Sequence, residues 1–201
     1  MERPEPALRL ATPADASRIE ALMKVSATAI FPRYYDERQS ASAIHHVAEV
    51  DPMLLADGTY FALEADGELV ACGGWSRRNR LYTGSGDSED DSRLLDPATE
   101  PARVRAMFVR DDWTRRGLGR RIVEACEAAA RSEGFRRLAL LATLPGVPLY
   151  RACGFEPIEE LEPAASDGVR IPCVSMEKRI DQSVTTSSTP TSDQPARQAT
   201  T

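Results

Sequence analysis

Several features are missing from this chain, and each omission removes a class of protein. No stretch approaches the 18 apolar residues of a membrane span, so a membrane-embedded protein is not expected. The opening Met-Glu-Arg-Pro-Glu-Pro has no apolar core of a signal peptide. The four cysteines, Cys72, Cys126, Cys153 and Cys173, are widely spaced and form no C-x-x-C pair; buried, reduced thiols are expected and a zinc site is not. Positive charge is not in excess: the net charge is -6, which argues against nucleic acid as partner. There is no internal repeat. Together these absences point to a cytoplasmic protein that binds neither membrane nor nucleic acid. With 201 residues, 42% hydrophobic and 28% charged, the chain suits one globular domain with a full core.

What is present is concentrated between Val104 and Val123. The apolar run Val104–Val109 reads as a buried strand, and after a polar turn Arg115-Arg116-Gly117-Leu118-Gly119-Arg120-Arg121 opens a helix. Leu118, Ile122, Cys126 and Ala130 recur every four residues, so one face of that helix should pack on a sheet, and Gly134 closes it. Glycines and arginines at a helix start directly after a strand make an anion site. Free amides and the positive end of the helix dipole point the same way, and glycine admits the anion close to the backbone. The expected anion is that of a cofactor with several phosphates. Arginine at a helix N-terminus opposes the dipole by a few tenths of a kcal/mol per residue, a conflict that a bound polyphosphate removes.

Around this unit, Leu8–Leu10 reads as a short strand, and a helix begins at Pro13–Asp15 and ends near Pro32. A second helix is expected over Glu37–Val50, stopping before Pro52. Thr59–Glu64 and Glu68–Trp75 flank Ala65-Asp66-Gly67 as a β-hairpin. Residues 77–100 form a long acidic loop containing Gly84-Ser85-Gly86. Further strands are expected over Arg137–Ala142, Phe155–Ile158 and Val169–Met176, with a short helix over Gly146–Cys153. Residues 181–201, rich in Ser, Thr, Pro and Gln, read as a disordered tail behind a domain spanning 1–180. Loosely alternating strands and helices with an early hairpin indicate an α/β protein, a mixed sheet with helices on both faces.

Two phosphate motifs fail on the glycine–arginine turn. No G-x-x-x-x-G-K-[ST] string exists, and Gly117-Leu118-Gly119-Arg120-Arg121-Ile122 puts Ile where a dinucleotide fingerprint needs its third glycine. Thr114-Arg115-Arg116-Gly117-Leu118-Gly119 resembles instead the Q/R-x-x-G-x-G/A motif of the GNAT superfamily of acetyl-CoA-dependent acyltransferases, with Thr114 at the first position. Leu149-Tyr150-Arg151-Ala152-Cys153-Gly154-Phe155 is similar to that family's Y-x-x-x-G-F segment, about thirty residues downstream as in the family. The likeness runs over roughly residues 7–179. One departure is Thr143-Leu144-Pro145-Gly146, where many members carry Asn.

The resemblance implies a GNAT fold (α+β type, with a mixed, mostly antiparallel central sheet) and transfer of an acetyl group from acetyl-CoA to a primary amine by direct attack in a ternary complex, without metal. It implies that the amides of Phe108 and Val109 meet the acetyl carbonyl and pantetheine. It further implies that Thr114, Arg115, Arg116, Gly117, Leu118, Gly119 and Arg120 hold the pyrophosphate, and that Tyr150 is the acid for the leaving thiolate. A phenol near ~10 and a thiol near ~8.5 make full proton transfer uphill by roughly 2 kcal/mol, so Tyr150 is expected to share its proton with the sulfur. The base is open among Glu64, Asp111, Asp112 and a water chain, since Val104–Val109 carries no carboxylate. His45-His46 reads as a solvated or partly packed pair. Tyr34 and Tyr35 fall where relatives border the acceptor. The acceptor is a small-molecule or peptide amine, and a homodimer is common in such proteins. The alternative is a non-catalytic acyl-CoA-binding or sensing module of the same fold.

Overall fold

The computed structural model describes residues 4–80 and 89–180. The tail from 181 and the loop residues 81–88, with Gly84, Ser85, Gly86 and Asp87, lie outside them.

The strands β1 (Ala7–Leu10), β2 (Tyr60–Ala65), β3 (Glu68–Ser76), β4 (Ala102–Val109), β5 (Arg137–Thr143), β6 (Glu156–Leu161) and β7 (Cys173–Arg179) form one seven-stranded sheet in the order β1-β2-β3-β4-β5-β7-β6. Every neighbouring pair is antiparallel except β4 and β5. The β2–β3 hairpin turns on Asp66 (φ 50°) and Gly67 (φ 78°), the paired left-handed residues of a two-residue turn.

Helices cover both faces. On one lie α1 (Ala16–Ile30), α2 (Glu37–His46) and α3 (Pro52–Ala56). The inward residues of α1, Ile19, Leu22, Met23, Ser26 and Ala27, are all buried at helical spacing, against Tyr60, Ala62, Cys72 and Phe108 of the sheet. On the other face α4 (Leu118–Ser132) buries Leu118, Ile122, Cys126 and Ala130, the expected four-residue ladder, and α5 (Val147–Ala152) brings Tyr150 into the same core. Trp75 and Phe135 close that core edge to face, 5.9 Å apart. The four cysteines are buried and free.

Several boundaries differ from the sequence reading: β4 starts already at Ala102, β6 runs on to Leu161, and three further shifts have a local cause. The second helix stops at His46, and a separate α3 begins at Pro52. Proline lacks the amide that a first helical position leaves unused, so Pro52 starts a helix, capped by Asp51 accepting from the Met53 amide at 2.9 Å. The glycine–arginine helix begins only at Leu118, because Arg115 (φ 62°) and Gly117 (φ 79°) are left-handed and cannot be helical. The last strand runs over Cys173–Arg179, its register set by pairing with β5 from Thr143↔Cys173 to Arg137↔Arg179, and Pro172 ahead of it has no amide to donate.

Candidate active site

The parallel pairing of β4 with β5 covers only Ala102↔Leu138 and Arg103↔Ala139; beyond these the strands part. The cause lies within β4. Its register with β3 shifts between Cys72 and Gly74, and Ala106 stands at φ 51°, a left-handed conformation that costs a non-glycine residue about 1–2 kcal/mol. The Tyr60 hydroxyl fixes this bulge by donating to Ala106 O at 2.6 Å. Gly74 makes room for Tyr60, since a Cβ there would lie 2.5 Å from Tyr60 Cδ2 and 2.6 Å from Thr59 O. The Arg110 amide bonds Val70 O at 3.0 Å, and Phe108 pairs with Cys72, so both residues address β3. Along a strand successive amides face opposite edges, which turns the Val109 amide toward the gap beside β5. The Phe108 side chain is buried in the core under α1, and Ser26 of α1 donates to Val109 O at 2.7 Å.

The start of α4 stands at the end of β4, at the mouth of this gap. The first intrahelical bond runs from Arg121 N to Gly117 O at 3.0 Å, which leaves the amides of Leu118, Gly119 and Arg120 off the helix end. At Gly117 a Cβ would meet nothing within 4 Å, so glycine there serves the left-handed backbone and leaves open space beside it. Arg115 and Arg116 are exposed; the Arg116 guanidinium carbon lies 5.0 Å over the Trp113 ring. Free amides, an open glycine and exposed guanidinium groups suit a pyrophosphate. Other side chains of the motif are engaged within the protein. The Thr114 hydroxyl donates to Asp111 O at 2.8 Å, and Arg120 reaches across to Ala152 O at 2.9 Å, closing the end of α5. Arg121 lies 3.6 Å from Glu5 along an open groove of about 610 Å³. Gly119 seats Leu149, since a Cβ would stand 2.7 Å from Leu149 Cδ2.

Tyr150 is buried, its ring edge-on to Phe155 at 5.7 Å. Burial raises its phenol well above the ordinary value, which keeps it a neutral donor. Gly146 lies against this ring: a Cβ there would be 2.9 Å from Tyr150 Cε2 and 3.9 Å from Thr143 Oγ1. At the position where the Asn of the motif is absent, the Leu144 amide donates to the Tyr35 hydroxyl at 2.8 Å, and that hydroxyl donates to Pro172 O at 2.9 Å. Tyr35 thus pins the α1–α2 junction to the end of β5, while Tyr34 is exposed.

The candidate bases are all held in ion pairs. Glu64 accepts from Arg9 at 2.8 Å, Asp111 from Arg33 at 3.1 Å and Asp112 from Arg110 at 2.7 Å. His45 is exposed; His46 is half-buried, its Nε2 3.5 Å from Asp167 Oδ2, a contact that sequence spacing could not reveal. Among the described residues no group of three His, Cys, Asp or Glu side chains is placed to hold a metal ion, and no helix is long and apolar enough to cross a membrane.

The sheet is thus split at the junction of its parallel strands, with a glycine-bearing helix start at the opening. Residues 19–155 match the acetyltransferase (GNAT) family, and the chain belongs to it. Solved structures share the fold. A GCN5-related N-acetyltransferase of Rhodopseudomonas palustris superposes with a TM-score of 0.66 at 19% identity, over 89% of this chain and 98% of that one. The PaiA N-acetyltransferase of Thermoplasma acidophilum, in complex with coenzyme A, gives 0.62 at 13%, over 88% and 99%. The ribosomal-protein-S18-alanine N-acetyltransferase of Escherichia coli gives 0.54 at 14%, over 87% and 94%. At these identities the likeness concerns the fold. No curated protein matches the chain.

Proposed function

We propose that the protein transfers an acetyl group from acetyl-CoA to a primary amine by direct attack in a ternary complex. The observation that carries this reading is the parting of β4 from β5 beyond Arg103 and Ala139, with the unpaired amides of Leu118, Gly119 and Arg120 at the opening. These amides, with Arg115 and Arg116, would hold the pyrophosphate. Acetyl-CoA supplies the acetyl group as a thioester, activated toward amines.

The protein's own contribution is positional and electrostatic. The Val109 amide is fixed in place before any charge develops, so it polarises a carbonyl oxygen with little reorganisation; one such donor is commonly worth about 3 kcal/mol in a transition state. Tyr150 shares its proton with the departing sulfur. Cys126 and Cys153 are buried with their thiols shifted upward by that burial, which disfavours thiolates and with them an acyl-enzyme route.

The test is thiol release from acetyl-CoA with a panel of amines, beside calorimetric titration of coenzyme A. Release with at least one amine supports the transferase. Coenzyme A binding without turnover on any amine, together with an unaltered Tyr150→Phe variant, supports the sensing module, a reading kept in view by the ion-paired state of Glu64, Asp111 and Asp112.

A further inference from the structure

Tyr60 opens β2, yet its hydroxyl reaches past the neighbouring strand to β4. The register sets Tyr60 opposite Gly74 of β3, and Gly74 opposite Arg105 of β4. The ring crosses the sheet where Gly74 has no side chain, and the hydroxyl meets Ala106 O at 2.6 Å. Gly73 clears the opposite face: a Cβ there would stand 3.2 Å from Met107 Cα and 3.0 Å from Ile122 Cγ2 of α4. Two consecutive glycines in β3 thus make room for the bulge in β4, one on each face of the sheet. Tyr60 is 1% exposed, and burial raises its phenol well above the ordinary value, so the hydroxyl stays a donor.

The bulge sets the phase of the strand beyond it. Val104 lies in the core under α4, so strict alternation would put Ala106 there too; instead Ala106 packs on the α1 side, as does Phe108, while Met107 and Val109 face α4. Amides alternate between strand edges with the same period of two, so the extra residue exchanges the edges as well as the faces. Continued without it, the pairing of Arg105 with Gly74 would bring Met107 opposite Cys72 and Val109 opposite Val70. The Val109 amide would then enter the ladder with β3, and the Phe108 amide would face the gap.

Resting on the transferase reading above, we propose that Tyr60 is a positioning residue of the transfer: by holding the Ala106 carbonyl it keeps the bulge in place, and with it the Val109 amide that meets the acetyl carbonyl. The hydroxyl touches no reacting atom and moves no proton. It offsets a left-handed backbone, φ 51°, that alanine by itself disfavours.

Amide hydrogen exchange of the free protein reads the phase without any acceptor. The Val109 amide should exchange at least about 100-fold faster than those of Phe108 and Arg110, and should slow when acetyl-CoA binds. Tyr60→Phe should speed exchange at Phe108 at least about tenfold and lower kcat about tenfold, short of the roughly 100- to 1000-fold loss of a whole amide donor, with the coenzyme A Kd within about twofold. Adding Ala106→Gly to Tyr60→Phe should recover most of kcat and of the exchange pattern, because glycine adopts the left-handed backbone without strain. A hydroxyl that only supports the fold predicts the opposite, since glycine inside a strand adds to a loss of stability. If Tyr60→Phe does not fold, the double variant decides: folded and active supports the proposal, unfolded overturns it. Val109 as protected as Phe108, a Tyr60→Phe variant with wild-type kcat, or a loss that Ala106→Gly deepens, overturns the proposal and leaves the transferase reading standing. Absence of turnover with every amine overturns the transferase reading and the kinetic role with it, while the exchange contrast still decides whether Tyr60 holds the amide.

Discussion

Replacing Gly117 by alanine isolates the strain stored at the start of α4. At φ 79° an L-residue pays about 1–2 kcal/mol, and because nothing lies within 4 Å of the new Cβ, no clash adds to this. The strain must emerge in one of two places. If the turn keeps its shape in the free protein, stability falls by the full amount and coenzyme A affinity is unchanged. If the turn relaxes, stability falls less and binding has to restore the strained form, weakening Kd by up to about 5–30-fold. The sum of the two losses, from urea denaturation of the free protein and calorimetric titration of coenzyme A, should be about 1–2 kcal/mol. Gly58→Ala is the control: it has φ 66° and equally open space, but sits at the other end of the strands, ahead of β2. It should lose similar stability and leave Kd as it was. A Gly117→Ala variant with both quantities unchanged would refute the left-handed turn, and with it the direction in which the α4 amides point.

Other consequences concern the fold and the chemistry. Arg105 and Asp51, each with a side chain 2% exposed, form an ion pair at 2.6 Å; Asp51→Ala leaves a buried guanidinium and uncaps α3, and should cost about 3–5 kcal/mol by urea denaturation, more than an exposed pair such as Arg33–Asp111. Tyr150→Phe keeps the ring against Phe155 and should leave stability within about 0.5 kcal/mol while lowering kcat 10–100-fold in the thiol-release assay. Asp15, paired with Arg9 at 2.8 Å and accepting from the Thr12 amide at 2.9 Å, is held well below the carboxylate range, chiefly by Arg9. A depressed carboxyl contributes stability that is fully present above its unfolded value of about 3.9 and is lost as pH falls below it. Asp15→Asn should therefore flatten the loss of stability between about pH 5 and pH 2, measured by denaturation across that range.

The elements that define the family were legible because their signals are local. The four-residue ladder of α4 needs only its own sequence, and Asp66-Gly67 specifies its hairpin turn unaided. The division of α2 from α3 was not local: Pro52 reads equally as a stop or as a first turn, and the choice is made by Asp51, which caps Met53 and meets Arg105 from a distant strand. Likewise Val169-Arg170-Ile171-Pro172 has strand composition, but pairing with β5 places the strand after it. Within the site, the glycine–arginine turn was visible as a motif, whereas the bulge at Ala106 was hidden by a residue that gives no sign of positive φ. Gly73-Gly74 in the facing strand was the available signal, since glycine inside a strand marks close backbone approach.

The transferase assignment is tested most directly by following both products of one reaction. With acetyl-CoA and a panel of amines, free coenzyme A thiol and the N-acetylated amine, quantified by thiol titration and mass spectrometry, should appear in equal amounts for at least one amine and at a rate that falls on Tyr150→Phe. Thiol released without acetylated amine, or coenzyme A bound with neither product formed from any amine, would contradict it.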